Sequence, residues 1–501
     1  MDKVAESQMM TNSTALPRTG GERTSFRDFR KLYEFCLSRY PDDILHNLDV
    51  LYRYVWPFWD CGSEEAEPWN MNSTHVDGRQ DWKRPYNEWC ICHFSRRVLK
   101  RKKSLLVTVY PRRDDLQAFM HPIANILKEH GVPITVLAYR TIPKTGSSRD
   151  FFSSKQFPGC RIIHEEDYMA SGDYPLIRAR YDKLLPAISE LCKEIQLNCR
   201  QRHSTRVFFW EYFMETILFR RILESARPSV IYGIHYILNP GYLAAIREAK
   251  TDGWSLKTVL MQHGEFSPGA FHDFKGADCV ILWGTYFQDV LTRMGGSTIP
   301  VPPSVVIGNP KLEVELVRIA RNERVVSSKE SRRRNVVFVS EPSDHSRKAM
   351  RLVAQAVKGS DVHVTYKLHP GHHPHELAYC DELTSEGLVG KDQIAKDLNI
   401  YDAIADCEVV IGTRSTAILE AIAVGKPVLQ ILPELSQTDW AQRGILSAST
   451  EGQIRDRLRL LIESADYREK VLLSEQRLAR EMFNDVEGAG QRVASYLLTM
   501  L

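Results

Sequence analysis

Two short segments hold the residues best placed to do chemistry. One is Val362–Pro370 (VHVTYKLHP); the other is Val409–Pro427 (VVIGTRSTAILEAIAVGKP). Each starts as an apolar, β-branched run, the pattern of a buried strand, and ends in side chains able to hold a ligand. The first ends at Lys367, Leu368, His369 and Pro370, where proline cannot continue a ladder and so keeps His369 at the strand end. The second ends in Gly412-Thr413-Arg414-Ser415-Thr416, and a helix is predicted from about Ala417 to Val424. Ligands of open α/β sheets bind beyond the carboxyl ends of parallel strands. A Ser-Thr pair at a helix start offers hydroxyls and unpaired backbone N–H groups to an anion. Lys367, His369 and Arg414 supply positive charge beside it, and Ser340, ending an earlier strand, joins the set. Glu420, one turn into the helix, is placed to accept hydrogen bonds from ribose hydroxyls. The pattern reads as a clamp for the diphosphate of a nucleotide-linked donor. Plain N-capping by Ser415 or Thr413 is the alternative, but it leaves Lys367, His369 and Arg414 on neighbouring strand tips unexplained.

A second group follows the strand Lys257–Gln262. There Gln262, His263, Gly264 and Glu265 run on directly. A histidine at a strand's carboxyl end, beside a glycine that lets a ligand approach the backbone, suits a cleft-lining role. Glu265 is the nearest carboxylate that can act as a base. The alternative for His263 is a hydrogen bond across a domain interface. Gln262, Gly264 and Asn309, the last within the turn Gly308-Asn309-Pro310, are expected to line the same cleft. Asp115 follows the first strand and is placed either to deprotonate an acceptor hydroxyl or to cap a helix. His372, His373 and His375 follow Pro370, but beyond Glu376 no carboxylate or cysteine has metal-ligand spacing. A solvated loop and no metal are expected there. Neither a P-loop nor a nucleophile elbow occurs, which disfavours P-loop kinases and α/β hydrolases.

Composition is that of a globular protein of two or three domains. The chain has 501 residues, 43% of them hydrophobic, and a net charge of only +3, which gives no general case for nucleic acid. Its ten cysteines are scattered, with Cys90 and Cys92 the only close pair, so reduced thiols are expected rather than zinc or disulfides. The N-terminus lacks an apolar signal region, and no apolar run is long enough to span a bilayer, so a cytoplasmic location is expected. Residues 1–100 read as a disordered tail plus an accessory helical region, with an aromatic cluster at Tyr52, Tyr54, Trp56, Phe58 and Trp59. The basic run Arg96–Lys103 is either a solvated face or a peripheral contact with anionic lipid at the inner face of the membrane.

From Ser104 onward an α/β rhythm positions these groups. Strands are predicted at Ser104–Tyr110, Pro133–Tyr139, Val230–Ile234, Lys257–Gln262, Asp278–Trp283 and Val305–Ile307. A helical connector over Lys311–Arg334 leads to a second series at Val336–Ser340, Val362–Leu368, Val409–Gly412 and Val428–Ile431. The reading is α/β: two Rossmann-like domains, 101–310 and 311–501, facing across a cleft, with helices closing the C-terminus.

These residues, in this order, resemble the two-domain GT-B glycosyltransferases, most of all the bacterial surface-polysaccharide group. That group includes capsule polymerases, sialyl- and Kdo-transferases and CDP-glycerol glycerophosphotransferases. Its sialyltransferase branch carries an HP motif and a Ser-Ser/Thr motif, matched here by His369-Pro370 and Ser415-Thr416. The branch's paired acidic motif ends in glycine, whereas Leu116 follows Asp114-Asp115 here. The non-hydrolysing UDP-N-acetylglucosamine 2-epimerases share the fold, but their Arg-Glu-Asn signature is replaced by Val339-Ser340-Glu341-Pro342-Ser343. The resemblance implies a metal-independent glycosyltransferase that needs no cofactor. It would move a sugar from a CMP-, UDP- or CDP-linked donor to a glycan or lipid-linked acceptor in surface polysaccharide (capsule) biosynthesis. The alternatives are a 2-epimerase, a glycerophosphotransferase and a non-catalytic nucleotide-sugar-binding scaffold.

Overall fold

The computed structural model describes residues 103–109, 119–138, 157–170, 172–194, 199–234, 240–265, 277–294, 302–326, 334–341, 343–369, 374–396, 398–433 and 439–501. The expected N-terminal tail and accessory region, the basic run up to its last residue Lys103, Asp115 and Pro370 lie outside them.

The described strands form two sheets. The first contains β1 (Leu105–Val109), β2 (Ile134–Ala138), β3 (Arg161–His164), β4 (Val230–Ile234), β5 (Lys257–Met261), β6 (Cys279–Leu282) and β7 (Ser304–Val306). The second contains β8 (Arg334–Val339), β9 (Val362–Lys367), β10 (Ile394–Ala395), β11 (Val409–Gly412), β12 (Val428–Ile431) and β13 (Ser447–Ala448). Their orders are β3-β2-β1-β4-β5-β6-β7 and β10-β9-β8-β11-β12-β13, with every pairing parallel. Helices cover both faces, which is why the central strands are almost wholly apolar: β4, β6, β11 and β12 are buried along their entire length. In each sheet the order reverses once, between β1 and β4 and between β8 and β11. These are the switch points where open α/β sheets take ligands.

The helices are α1 (His121–Glu129), α2 (Asp173–Glu194), α3 (Cys199–Ala226), α4 (Pro240–Thr251), α5 (Thr285–Met294) and α6 (Pro310–Val326) in the first half. The second half has α7 (Asp344–Val357), α8 (Pro374–Ser385), α9 (Ile400–Asp406), α10 (Thr416–Ala423), α11 (Asp439–Gln442), α12 (Glu451–Glu463), α13 (Ala465–Phe483) and α14 (Ala489–Met500). Of the connector predicted over Lys311–Arg334, α6 covers the part up to Val326, and β8 begins at Arg334. The histidine-rich stretch is not loop throughout, because α8 begins at Pro374, where proline suits the first helical turn.

The chain ends by returning to the first sheet's domain. α13 packs against both α10 and α5, and α14 against α1 and α6. Glu313 of α6 accepts the N–H groups of Gly488 (2.7 Å) and Gly490 (2.8 Å), placing a carboxylate at the positive end of α14. Arg492 Nε donates to the Ile307 carbonyl at 2.9 Å. Phe483, at the end of α13, stacks on Trp283 with ring centroids 5.6 Å apart, and Phe119 stacks on Trp283 at 6.1 Å. The described chain is thus an α/β protein of two parallel sheets, with its last helices crossing back onto the first sheet's helices.

Candidate functional site

At the second switch point, β8 and β11 run side by side, with Val339 in register with Gly412 and with Lys367 of β9. Ser340, Glu341, Leu368, His369 and Thr413 therefore leave the sheet at one level. Glu341 gathers this rim. Its Oε1 accepts the Thr413 hydroxyl at 2.7 Å and the Ser343 hydroxyl at 3.1 Å, while its backbone N–H donates to Ser346 Oγ at 3.1 Å. Ser343 in turn caps α7 by accepting the Ser346 N–H. Gln430 of β12 donates to the Thr413 carbonyl at 2.7 Å, so the tip of β11 is held from both sides.

Ser415 is the N-cap of α10, its Oγ accepting the Ala417 N–H at 3.4 Å, as the capping alternative requires. Thr416 does more. Its Oγ1 accepts the backbone N–H of Glu265 at 3.2 Å, 151 residues away on the other domain. A Cβ on Gly264 would stand only 3.2 Å from the same oxygen, so the glycine permits this approach. Arg414 lies 3.6 Å from the Glu265 carboxylate, its side chain about half exposed. The tip of β5 and the start of α10 thus meet at the carboxyl-end faces of the two sheets. Thr416 is an acceptor in this contact, which leaves its O–H to donate to a bound anion.

Several residues expected to face the ligand are otherwise engaged. Lys367 is buried, and its ammonium donates to the Leu368 carbonyl (2.5 Å) and the Lys396 carbonyl (3.1 Å), tying β9 to the chain after β10. Glu420 is buried and accepts from Lys311 Nζ at 3.4 Å; the two side chains are 4% and 10% exposed. The ammonium also stands over the rings of Tyr401 (5.2 Å) and Phe119 (5.8 Å). Asn309 is fully buried and caps α6, its Oδ1 accepting the N–H groups of Lys311 and Leu312 at 3.0 and 3.1 Å. Gln262 is also buried. It donates to the Gly264 carbonyl at 3.0 Å, accepts the Trp283 N–H at 2.9 Å, and offers its own carbonyl to Trp283 Nε1 at 2.8 Å. Gln262 thus holds the turn after β5, while Asn309 serves as the cap of α6. His263 and Glu265 are half-buried at the rim itself.

His369 stands at the end of β9, its backbone N–H donating to Ser340 Oγ at 3.1 Å. Ser340 in turn donates to Glu376 of α8. Ser340, Ser415, Thr416, Arg414 and His369 are thus distributed around the β8–β11 switch point. Glu341, Lys311 and Glu376 were not predicted to take part. Glu341 carried a usable signal, a polar residue two positions beyond a strand; Lys311 and Glu376 bond partners far along the chain. Within α8, burial and then the neighbouring Glu376 charge push the Cys380 thiol up to about 11, so it remains a neutral packing group. Burial likewise raises the Glu315 carboxyl, against the pull of Arg318 and Lys311.

Among the described residues no cluster of three or more His, Cys, Asp or Glu is arranged to hold a metal ion, and no helix is long and apolar enough to cross a membrane.

No protein-family model matches the chain, and no curated protein matches it. Among solved structures it is similar to a glycosyltransferase from Rickettsia africae, at 11% identity over 80% of this chain and 99% of that chain, TM-score 0.48. It is similar to sucrose-phosphate synthase from Thermosynechococcus elongatus, at 10% identity, 80% and 99% coverage, TM-score 0.48. It is also similar to UDP-GlcNAc 2-epimerase from Neisseria meningitidis bound to UDP-GlcNAc, at 11% identity, 79% and 100% coverage, TM-score 0.46. These are likenesses of overall architecture at low identity.

Proposed function

We propose that this protein is a glycosyltransferase that moves a sugar from a nucleotide-activated donor to a glycan or lipid-linked acceptor in surface polysaccharide assembly. The observation that carries the reading is the contact between Thr416 at the start of α10 and the Gly264–Glu265 tip of β5. It brings an anion-ready helix start in one domain against candidate acceptor-side groups in the other. The donor phosphates would lie against Ser415, Thr416 and His369, with Arg414 at the rim. Negative charge grows on the leaving phosphate as the glycosidic bond breaks. Donors already fixed there, in a site that excludes water, stabilise that charge more than the ground state. Glu265 is ion-paired with Arg414, so His263, two residues before it, is assigned the acceptor proton, with Asp115 the remaining candidate. The positive helix end and the basic side chains neutralise the leaving group without a metal.

The test is nucleotide release from a panel of UDP-, CMP-, GDP- and CDP-linked donors, with and without oligosaccharide acceptors. Acceptor-dependent release by wild type, lowered about a hundredfold or more in His369→Ala with melting unchanged, is expected for the loss of a transition-state donor. Conversion of a UDP-sugar without acceptor would favour an epimerase instead. Wild-type rates in His369→Ala would reject the site.

A further inference from the structure

We infer that Glu376 is a positioning residue for His369, acting through Ser340, so that one buried carboxylate fixes the phosphate-facing edge of the donor site. The inference rests on the donor reading above and extends it to a residue that makes no contact with the ligand.

Ser340 is the first residue beyond β8 at the switch point, and it is buried. Its hydroxyl makes two bonds with opposite roles: the oxygen accepts the His369 N–H at 3.1 Å, and the O–H donates to Glu376 Oε1. His369 and Glu376 flank the segment Pro370-Gly371-His372-His373-Pro374-His375. The residues on either side of that segment are therefore fastened to one hydroxyl. The direction of the chain matters as well. A carboxylate at its far end orients the O–H toward itself and turns the oxygen's remaining lone pairs toward the His369 amide, and successive bonds of this kind polarise one another.

The location of Glu376 argues against a merely solvated helix-start acid. It lies in the first turn of α8, where a carboxylate is favoured even when exposed, yet it is only 3% exposed. Its second oxygen, Oε2, is buried and has no hydrogen-bond partner among the described residues. Burying a carboxylate with one oxygen unsatisfied costs stability, so a leucine of similar size would serve packing better. A group kept there despite that cost is explained by what its other oxygen holds. Arg351 of α7 clamps α8 from outside through Glu382, Glu386 and Tyr379, so the helix bearing Glu376 is itself anchored. The relay consequently runs from an anchored helix, through the switch-point serine, to the backbone of the proposed phosphate ligand.

The experiment compares wild type with Glu376→Gln, Glu376→Leu, Ser340→Ala and Ser340→Thr. It measures melting temperature, hydrogen exchange of the amides around His369, and calorimetric affinity for the nucleoside diphosphate that wild type binds. Glu376→Leu and Ser340→Ala are expected to speed exchange at His369 and weaken nucleotide binding about tenfold to a hundredfold, the scale of a misplaced contact in a site. Melting should hold or rise in Glu376→Leu. Glu376→Gln, whose amide oxygen still accepts the serine O–H, and Ser340→Thr, which keeps the hydroxyl, should recover most of both losses. Unchanged affinity in Glu376→Leu, with wild type binding normally, overturns the positioning role alone. Wild type that binds no nucleotide overturns the donor reading, and the inference with it.

Discussion

Breaking the ion pair between Lys311 and Glu420 should destabilise the protein by far more than a surface pair would. Lys311 is in the first turn of α6, the helix that joins the two sheets, and Glu420 is on α10, the helix that opens at the candidate site. The charges are 3.4 Å apart and nearly out of water. At an effective dielectric of about 20 their attraction is about 5 kcal/mol, a gross figure that desolvation largely offsets. Removing one partner leaves the other buried and unpaired, which costs about 3–5 kcal/mol. The aromatic faces of Tyr401 and Phe119 remain near the ammonium when Glu420 is removed and return about 1 kcal/mol of that. Lys311→Met, which strands the carboxylate, should therefore be the worse single variant. Lys311→Met combined with Glu420→Leu should recover most of the loss, because well-packed apolar side chains replace buried pairs at little or no cost. For domains of this size the single variants should melt about 6–20 °C lower. The assay is thermal and urea unfolding of the four proteins as a double-mutant cycle. Single variants within about 1 kcal/mol of wild type would refute the argument, since that is the value of a solvent-screened surface pair.

Two further outcomes follow from burial and close approach. Glu475 of α13 accepts the Val428 N–H on both carboxylate oxygens, at 3.1 and 3.3 Å, but burial outweighs that bond and holds its carboxyl well above the ordinary 4.5. A raised native value means the folded state binds the proton more tightly. This site therefore favours folding below 4.5 and loses that contribution as pH rises through the native value. Glu475→Gln, which cannot ionise, should lose less stability than wild type as pH rises above 4.5; parallel unfolding profiles would contradict this. At Gly284 a Cβ would collide with the Glu481 carbonyl and the Met482 backbone of the returning α13. Gly284→Ala should cost about 3 kcal/mol or more in unfolding measurements, because neither backbone can yield cheaply.

The strands were readable where both faces are covered. β1, β4, β5, β8, β9, β11 and β12 announce themselves as apolar runs because helices pack on both sides. Of the four edge strands only β7 did, within the predicted Val305–Ile307 run; β3, β10 and β13 did not. In β3 only Ile163 is buried, and β10 and β13 are two residues each, so almost nothing about them need be apolar. The start of α8 was hidden in a histidine-rich run that reads as loop. At the candidate site, polar residues a few positions beyond a strand, such as His369, Ser415 and Thr416, could be picked out as candidates from spacing alone. Lys367 shows the limit of that method. A lysine at a strand tip reads as a ligand for phosphate, yet here it turns back onto two carbonyls. Glu376 and Lys311 were beyond reach for a different reason: their partners are 36 and 109 residues away, and no local pattern encodes such a pairing.

The most direct test of the central claim is a thermal-shift panel of CMP, CDP, UMP, UDP, GDP and ADP on wild type and on the Ser415→Ala, Thr416→Val double variant. A ligand that binds only the native state stabilises it by about 2.7 kcal/mol at a hundredfold excess over its dissociation constant, or about 5–11 °C in melting temperature for domains of this size. Such a shift is expected for one nucleotide class in wild type, and its loss in the double variant, judged against that variant's own basal melting, which the lost N-cap and interdomain hydrogen bond lower. No shift with any nucleotide, or an equal shift in the double variant, would contradict a donor site at the start of α10.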